Sequence, residues 1–257
     1  MNRSLELRGR LLRGERLIGT FVKTTSPQTV EVLGETALDF IVLDAEHAPF
    51  SRESLDLCML AARSADLPAL VRVPSFEGAH LGESLDLGAA GIVAPHVRNA
   101  ADAIAFDRSC RYRGGTRGFS NSPRAGRYGS VQMKTHVNTA DAATISLAQI
   151  EDAEALDHLD EIGASAVDGW FIGRADLALS CGLDSLDAPL LQRHVETICV
   201  RARAARKPVA MFLANGAEVG RFAALGVTMF IIGSDQSMLR AGFSGLLAAA
   251  SSTAHSS

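Results

Sequence analysis

Short apolar runs recur along almost the whole chain, separated by longer stretches with helical periodicity. Eight of the runs read as strands, over residues 17–22, 39–43, 69–73, 91–94, 143–149, 169–172, 208–212 and 228–232. They are apolar on both faces, as strands of a parallel sheet covered by helices must be. Residues 51–65, 99–111, 190–206 and 217–225 read as helices between them. The last of these lines up Val219, Phe222, Ala223 and Leu225 on one side and stops at Gly226, a residue suited to the left-handed turn that ends many helices. Alternation of this kind makes a parallel sheet with crossover helices. Eight units in 257 residues point to a closed (β/α)₈ TIM barrel, for which about 250 residues is usual, as one α/β domain over residues 1–257. The low-complexity tail, 248–257, is expected to fray.

One segment breaks the rhythm. Residues 113–137 carry five Gly and four Arg, and a connection of that length is usually a lid or a subunit contact. Taken as following the fourth strand, it is expected at the catalytic mouth.

Composition narrows the functional classes. A net charge of −4 gives no basic footprint for nucleic acid. No apolar run reaches the 18 or so residues of a membrane helix, and residues 1–6 do not resemble a signal peptide, so the cytoplasm is the expected compartment. Cys58, Cys110, Cys181 and Cys199 are far apart and form no CxxC pair, which favours inert thiols over a zinc site.

In a barrel of this type the active site is built just beyond the carboxyl ends of the strands. There the sequence reads Asp44-Ala45-Glu46-His47 after strand 2, Val71-Arg72-Val73-Pro74 on strand 3, Gln149-Ile150-Glu151 on strand 5 and Gly173-Arg174-Ala175-Asp176 after strand 6. Each piece has a plain structural reading. Glu151 heads an acidic helix turn, Asp176 could cap a helix, Asp44 could cap its loop, and His47 could simply pack. Arg72 is harder to place structurally, since an Arg within an apolar strand needs an anion or acid to meet. Together the set suits one chemistry. Two carboxylates, Glu151 and Asp176, make a hard-oxygen site for Mg²⁺ or Mn²⁺ and leave positions open for a 2-oxo acid. Arg72 would stabilise an enolate, and His47 would act as general base.

These segments, in this order, resemble the HpcH/HpaI family of metal-dependent pyruvate aldolases. The carrying motifs are Leu43-Asp44-Ala45-Glu46-His47-Ala48-Pro49, Val71-Arg72-Val73-Pro74, Leu85-Asp86-Leu87-Gly88, Gln149-Ile150-Glu151 and the run from Val167 to Leu177, with Arg117-Gly118 and Arg124-Ala125 in the long loop. The resemblance implies a phosphoenolpyruvate/pyruvate-type barrel in a hexamer with exchanged C-terminal helices, with which the apolar, alanine-rich 241–250 stretch is compatible. It implies Mg²⁺, Mn²⁺ or Co²⁺ on Glu151 and Asp176, substrate contacts from Gln149, Gly173 and the Ala175 backbone, His47 as base and Arg72 as enolate stabiliser. Asp86 would raise the basicity of His47, with Asp44 as a second partner. The implied partners are small molecules, a pyruvate-type 2-oxo acid (pyruvate or hydroxypyruvate) and an aldehyde.

Three features depart from the family pattern. Arg174 stands where Pro is common, Ala45 where Gly is common, and Met211-Phe212-Leu213-Ala214 is bulkier than expected. Phe212, Arg174 and Phe119-Ser120-Asn121 are expected to shape the aldehyde pocket. Two rival chemistries stand beside this reading. A Schiff-base aldolase would use Lys23, the one lysine after a strand at the correct rim. A coenzyme A-ester lyase of the citrate-lyase beta type would need a basic groove for the nucleotide, which the sequence does not identify.

Overall fold

A computed structural model describes residues 3–253. The chain opens with helix α1 (Arg3–Leu12) and strand β1 (Leu17–Val22), followed by α2 (Pro27–Gly34), β2 (Phe40–Asp44), α3 (Arg52–Ser64) and β3 (Ala69–Arg72). It continues through α4 (Ala79–Asp86), β4 (Gly91–Ala94), α5 (Ala100–Cys110), α6 (Met133–Ala143) and β5 (Ile145–Ile150). The last part holds α7 (Leu159–Ala164), β6 (Gly169–Ile172), α8 (Arg174–Ser180) and α9 (Pro189–Ala204). It ends with β7 (Val209–Leu213), α10 (Val219–Leu225), β8 (Val227–Ser234) and α11 (Asp235–Thr253). The eight strands are parallel and close in sequence order, β8 pairing back onto β1, so the fold is the expected (β/α)₈ barrel.

Local chemistry sets the helix ends. The Ser51 hydroxyl accepts from the Ser54 N–H and the Ser54 hydroxyl from the Ser51 N–H, a capping box that starts α3. The Asn99 side chain caps α5 through the Asp102 N–H. Gly226, at φ 102°, ends α10 in the left-handed region as the sequence suggests.

Side chains alternate along each strand, so each strand has one parity facing the barrel axis and one facing the helices. Leu17 and Phe21, Phe40 and Val42, Leu70, Val93, Ile145 and Leu147, Phe171, Ala210, Met229 and Ile231 fill the interior. Gly19 makes room there, because a Cβ at that position would lie 2.5 Å from the Phe40 ring. Leu7 and Leu11 of α1 join the same cluster and plug the amino end. A second core, including Ile41, Leu43, Val71, Trp170 and Ile172, fills the layer between barrel and helices.

Three expectations change. The 113–137 segment does not lie at the catalytic mouth. It follows α5, which has already carried the chain back to the amino end of the barrel, and part of it is helix α6. Arg124 there donates to the carbonyls of Asp56 and Leu87, the latter just beyond the end of α4, and Phe119 packs on Tyr112 and His136. Phe119-Ser120-Asn121 therefore cannot shape a pocket at the mouth. Part of the tail expected to fray is helix. Its alanines favour helix, and α11 runs to Thr253, leaving only 254–257 of that tail outside the described residues.

Candidate active site

The inward parity that fills the barrel with apolar side chains also selects what reaches its carboxyl end. One step above Phe21 is Lys23, above Val42 is Asp44, above Leu70 is Arg72, above Leu147 is Gln149, and above Ala210 is Phe212. The mouth is polar because β1, β2, β3 and β5 change from apolar to polar at these positions, whereas β7 stays apolar at Phe212.

Asp44 organises one side of it. Its carboxylate is fully buried and accepts from Arg72 Nε at 2.9 Å and Arg72 Nη2 at 2.8 Å. Oδ1 also accepts the His47 N–H at 3.2 Å, and Lys23 Nζ lies 3.0 Å from Oδ2. Burial pushes the Asp44 carboxyl up, but the hydrogen bonds and charge of Arg72, aided by Lys23 and the His47 N–H, outweigh it and hold it below its ordinary value. The guanidinium of Arg72 lies over the Phe21 ring at 4.7 Å, and Phe212 packs on the same ring at 5.7 Å.

Arg72 thus meets the acid that its place in an apolar strand demands. Asp44 occupies the side of the guanidinium that carries Nε and one N–H of Nη2. What remains for a ligand is the edge of the guanidinium carrying Nη1, held rigidly in place.

Glu46 and His47 sit beside this pair. Glu46 Oε2 lies 3.3 Å from Arg72 Nε and 3.6 Å from His47 Nε2, and it is buried without a hydrogen-bond partner. Burial pushes the Glu46 carboxyl up, with Asp44 and Asp176 adding to the rise and Arg72 and His96 opposing it. The His47 ring is about half exposed, 53%, so it can reach a ligand in the mouth.

The opposite side of the mouth is acidic. Glu151 is buried, and its Oε1 accepts the His96 N–H at 2.9 Å while Gln149 Nε2 donates to Oε2. A Cβ at residue 173 would lie 2.7 Å from Glu151 Oε2 and 2.8 Å from its Cβ, so Gly173 is what lets β6 pass this close. Burial pushes the Glu151 carboxyl up, a direction that a bound cation would oppose. His96 Nδ1 lies 3.1 Å from Asp152 and 3.5 Å from Glu151, and ligand atoms of His96, Glu151 and Asp152 all fall within 4.8 Å of one another. Burial lowers the pKa of His96, but the neighbouring acids outweigh that and raise it above its ordinary value. The donor set fits a divalent cation, and the buried, unpartnered Gln149 Oε1 adds an acceptor beside it.

The structure brings together Asp44, His47 and Arg72, and separately Gln149, Glu151 and Gly173. Asp176 lies in the first turn of α8, next to the exposed Ala175, and is close enough to act on Glu46 through charge. It is not within the compact His96–Glu151–Asp152 group, which sets an imidazole beside one of the two carboxylates expected to hold the cation. Asp86 is not at the mouth. It ends α4, which runs from the carboxyl to the amino end, and it pairs there with Arg117 at 3.2 Å. Within one chain it cannot act on His47. Arg174 also misses the pocket, since its guanidinium packs on Phe222 at 4.7 Å and faces Glu218 at 3.5 Å.

Sequence reasoning passed over Glu46, His96 and Asp152. Glu46 lies inside a motif already singled out. His96 follows β4 in Ala94-Pro95-His96, where the same inspection of strand ends would have found it.

A sequence model of the HpcH/HpaI aldolase/citrate lyase family matches residues 17–241. A 5-keto-4-deoxy-D-glucarate aldolase of Enterobacter sp. (strain 638) is 34% identical over 226 residues, covering 87% of this chain and 88% of that protein. Among solved structures, an HpcH/HpaI aldolase/citrate lyase family protein from Burkholderia cenocepacia J2315 matches with a TM-score of 0.89 and 28% identity, covering 97% of this chain and 99% of that one. The citrate synthase SbnG matches with a TM-score of 0.88 and 26% identity over 98% of this chain and 99% of its own.

Proposed function

The chain belongs to the HpcH/HpaI aldolase/citrate lyase family, and from that membership and the mouth's geometry we propose reversible aldol cleavage and addition between a pyruvate-type 2-oxo acid and an aldehyde. Family membership makes it a metal-dependent carbon–carbon lyase. The observation that carries the particular reaction is the opposition of charge across one mouth. Arg72 and Lys23, fixed on buried Asp44, face Glu151, Asp152 and His96.

Glu151 would hold the cation with Asp176, as the resemblance implies, and His96 and Asp152 lie close enough to Glu151 to join them. A bound divalent ion supplies positive charge to the carboxylate and keto oxygens of a 2-oxo acid. Mg²⁺, Mn²⁺ and Co²⁺ all suit a mainly carboxylate set, and an imidazole beside it favours the last two. Gln149, Gly173 and the Ala175 backbone border the oxo acid. Arg72 contributes fixed positive charge where the enolate oxygen develops, with Asp44 setting its orientation. His47 removes or returns the proton, with the Glu46 carboxyl at its Nε2. Phe212, 38% exposed in an otherwise buried strand, forms the apolar wall that the aldehyde meets.

The same reading disfavours a Schiff base on Lys23. Its Nζ is engaged by the buried Asp44 carboxylate at 3.0 Å, whereas a Schiff-base lysine must be free to attack a carbonyl. Assembly completes the proposal. Met238, Leu239, Phe243, Leu246 and Leu247 of α11 are exposed, an apolar surface that exchange of C-terminal helices in a hexamer would bury. A neighbouring chain is also the one way Asp86 could reach His47. No described helix is long and apolar enough to cross a membrane.

Chelation is expected to abolish aldol cleavage, and Mg²⁺, Mn²⁺ or Co²⁺ to restore it. Borohydride with pyruvate should leave the protein unlabelled. Activity after thorough chelation, with an adduct on Lys23, would transfer the assignment to the Schiff-base mechanism.

A further inference from the structure

The mouth holds one cation that the reaction above leaves without a task. Lys23 follows β1, and its position is fixed by more than its own side chain. The carboxylate of Asp235, at the start of α11, accepts the N–H of Lys23 at 2.9 Å and that of Thr24 at 2.9 Å. The ammonium reaches inward to Asp44 at 3.0 Å and stays 27% exposed. Of its three N–H groups Asp44 takes one, and no other hydrogen bond from Nζ is made among the described residues. Asp44 does not need this second cation, since Arg72 already binds both its oxygens. Glu46 lies within ion-pair distance of Arg72 and His47.

Lys23 also has a defined place along the mouth. Its ammonium and the Arg72 guanidinium both lie near the Phe21 ring, at 5.8 and 4.7 Å from its centre, and Phe212 packs on the same ring. A substrate reacting beside Arg72 and lying along this apolar wall extends toward Lys23. We propose that Lys23 is a specificity-determining residue whose two free N–H groups bind an anionic group, carboxylate or phosphate, at the far end of the aldehyde. The inference rests on the aldolase reading and names the kind of acceptor that reading leaves open.

The test uses the intact, metal-loaded protein with pyruvate and two matched aldehyde pairs. One is succinate semialdehyde against butanal, the other glycolaldehyde phosphate against glycolaldehyde. A charge-assisted hydrogen bond predicts that kcat/KM favours the anionic member of at least one pair by about tenfold or more, and the pair that responds tells carboxylate from phosphate. Lys23→Met keeps the length and the contact with Phe21 but removes the charge, and should bring that ratio close to one. Lys23→Arg should retain most of it. A merely structural Lys23 would lower both members of a pair together and leave the ratio unmoved. An unmoved ratio in Lys23→Met, or no anionic preference in the wild type, overturns the inference. If pyruvate methyl protons still exchange with heavy water in those cases, the aldolase reading survives. Failure of exchange and of all four additions overturns both.

Discussion

Asp44 shows how one buried carboxylate can fix several residues of the proposed site at once. It fixes the Arg72 fork, holds the ammonium of Lys23 and accepts the N–H of His47, so one buried side chain determines where three other residues stand. The sequence made Arg72 conspicuous because a guanidinium in an apolar strand needs a partner. It did not reveal that the partner is Asp44, since that contact depends on β2 and β3 pairing in register, Asp44 beside Arg72. Two outcomes follow. Arg72→Lys keeps a charge but loses the bidentate pairing, so it should slow turnover by roughly a hundredfold or more, as loss of a fixed oxyanion donor does. It should also lower the melting temperature, because Asp44 then stays buried with poorer pairing. Wild-type stability with full loss of rate would show that the pairing contributes nothing to the fold. The second outcome concerns pH. A carboxyl held below its ordinary value of 3.8 adds stability that is present above that pH and lost as pH falls through the lowered value. The gap in melting temperature between wild type and Asp44→Asn should therefore be widest near neutrality and narrow below about pH 4. A gap independent of pH would mean that Asp44 is not held below its ordinary range.

At the scale of elements, the period-two alternation of the strands carries most of the argument. Strand ends were legible because apolar runs stop where polar residues begin, and every expected strand lies within about two residues of the structure. The helices α1, α2, α4, α6 and α7 were not read from the pattern, and α11 entered only through the 241–250 stretch compatible with helix exchange. They are short, weakly patterned or, for α11, apolar without a packed face. Missing α6, and counting the long loop from β4 instead of α5, put that loop at the wrong end of the barrel. Asp86 stayed at the mouth in the sequence reading for a related reason, since a motif has order but no position along a helix. The close approach of β6 to β5 gives an element-scale prediction. Gly173→Ala places a methyl group against Glu151, so metal affinity should fall by about tenfold or more while the barrel stays folded. Calorimetric titration with Mn²⁺ measures the first and thermal melting the second, and unchanged affinity would remove Glu151 from the cation site. For β7, Phe212→Ala should alter the ranking of aldehydes more than it alters pyruvate proton exchange. Equal losses in both would place Phe212 in the general packing.

For the whole molecule, the barrel separates two chemistries by its ends. The amino end is structural: Asp168, at the start of β6, is held by Arg8 and Arg111 in a network with Ser146 and Asp107, far from the mouth. The carboxyl end gathers opposed charges around a space lined by Phe21 and Phe212. Beyond it α11 leaves an apolar surface uncovered, and a charge there should act on assembly alone. Leu246→Glu is expected to reduce the sedimenting mass while leaving the monomer folded, and an unchanged mass would deny α11 a part in the interface. The central claim is that this mouth forms an enolate from a 2-oxo acid with the help of a divalent cation. Exchange of pyruvate methyl protons with heavy water, followed by NMR without any aldehyde, tests it most directly. The expected result is exchange that needs Mg²⁺, Mn²⁺ or Co²⁺, stops on chelation and falls by about a hundredfold or more in Arg72→Lys. Exchange at the same rate with and without metal, or none under any metal, would contradict it.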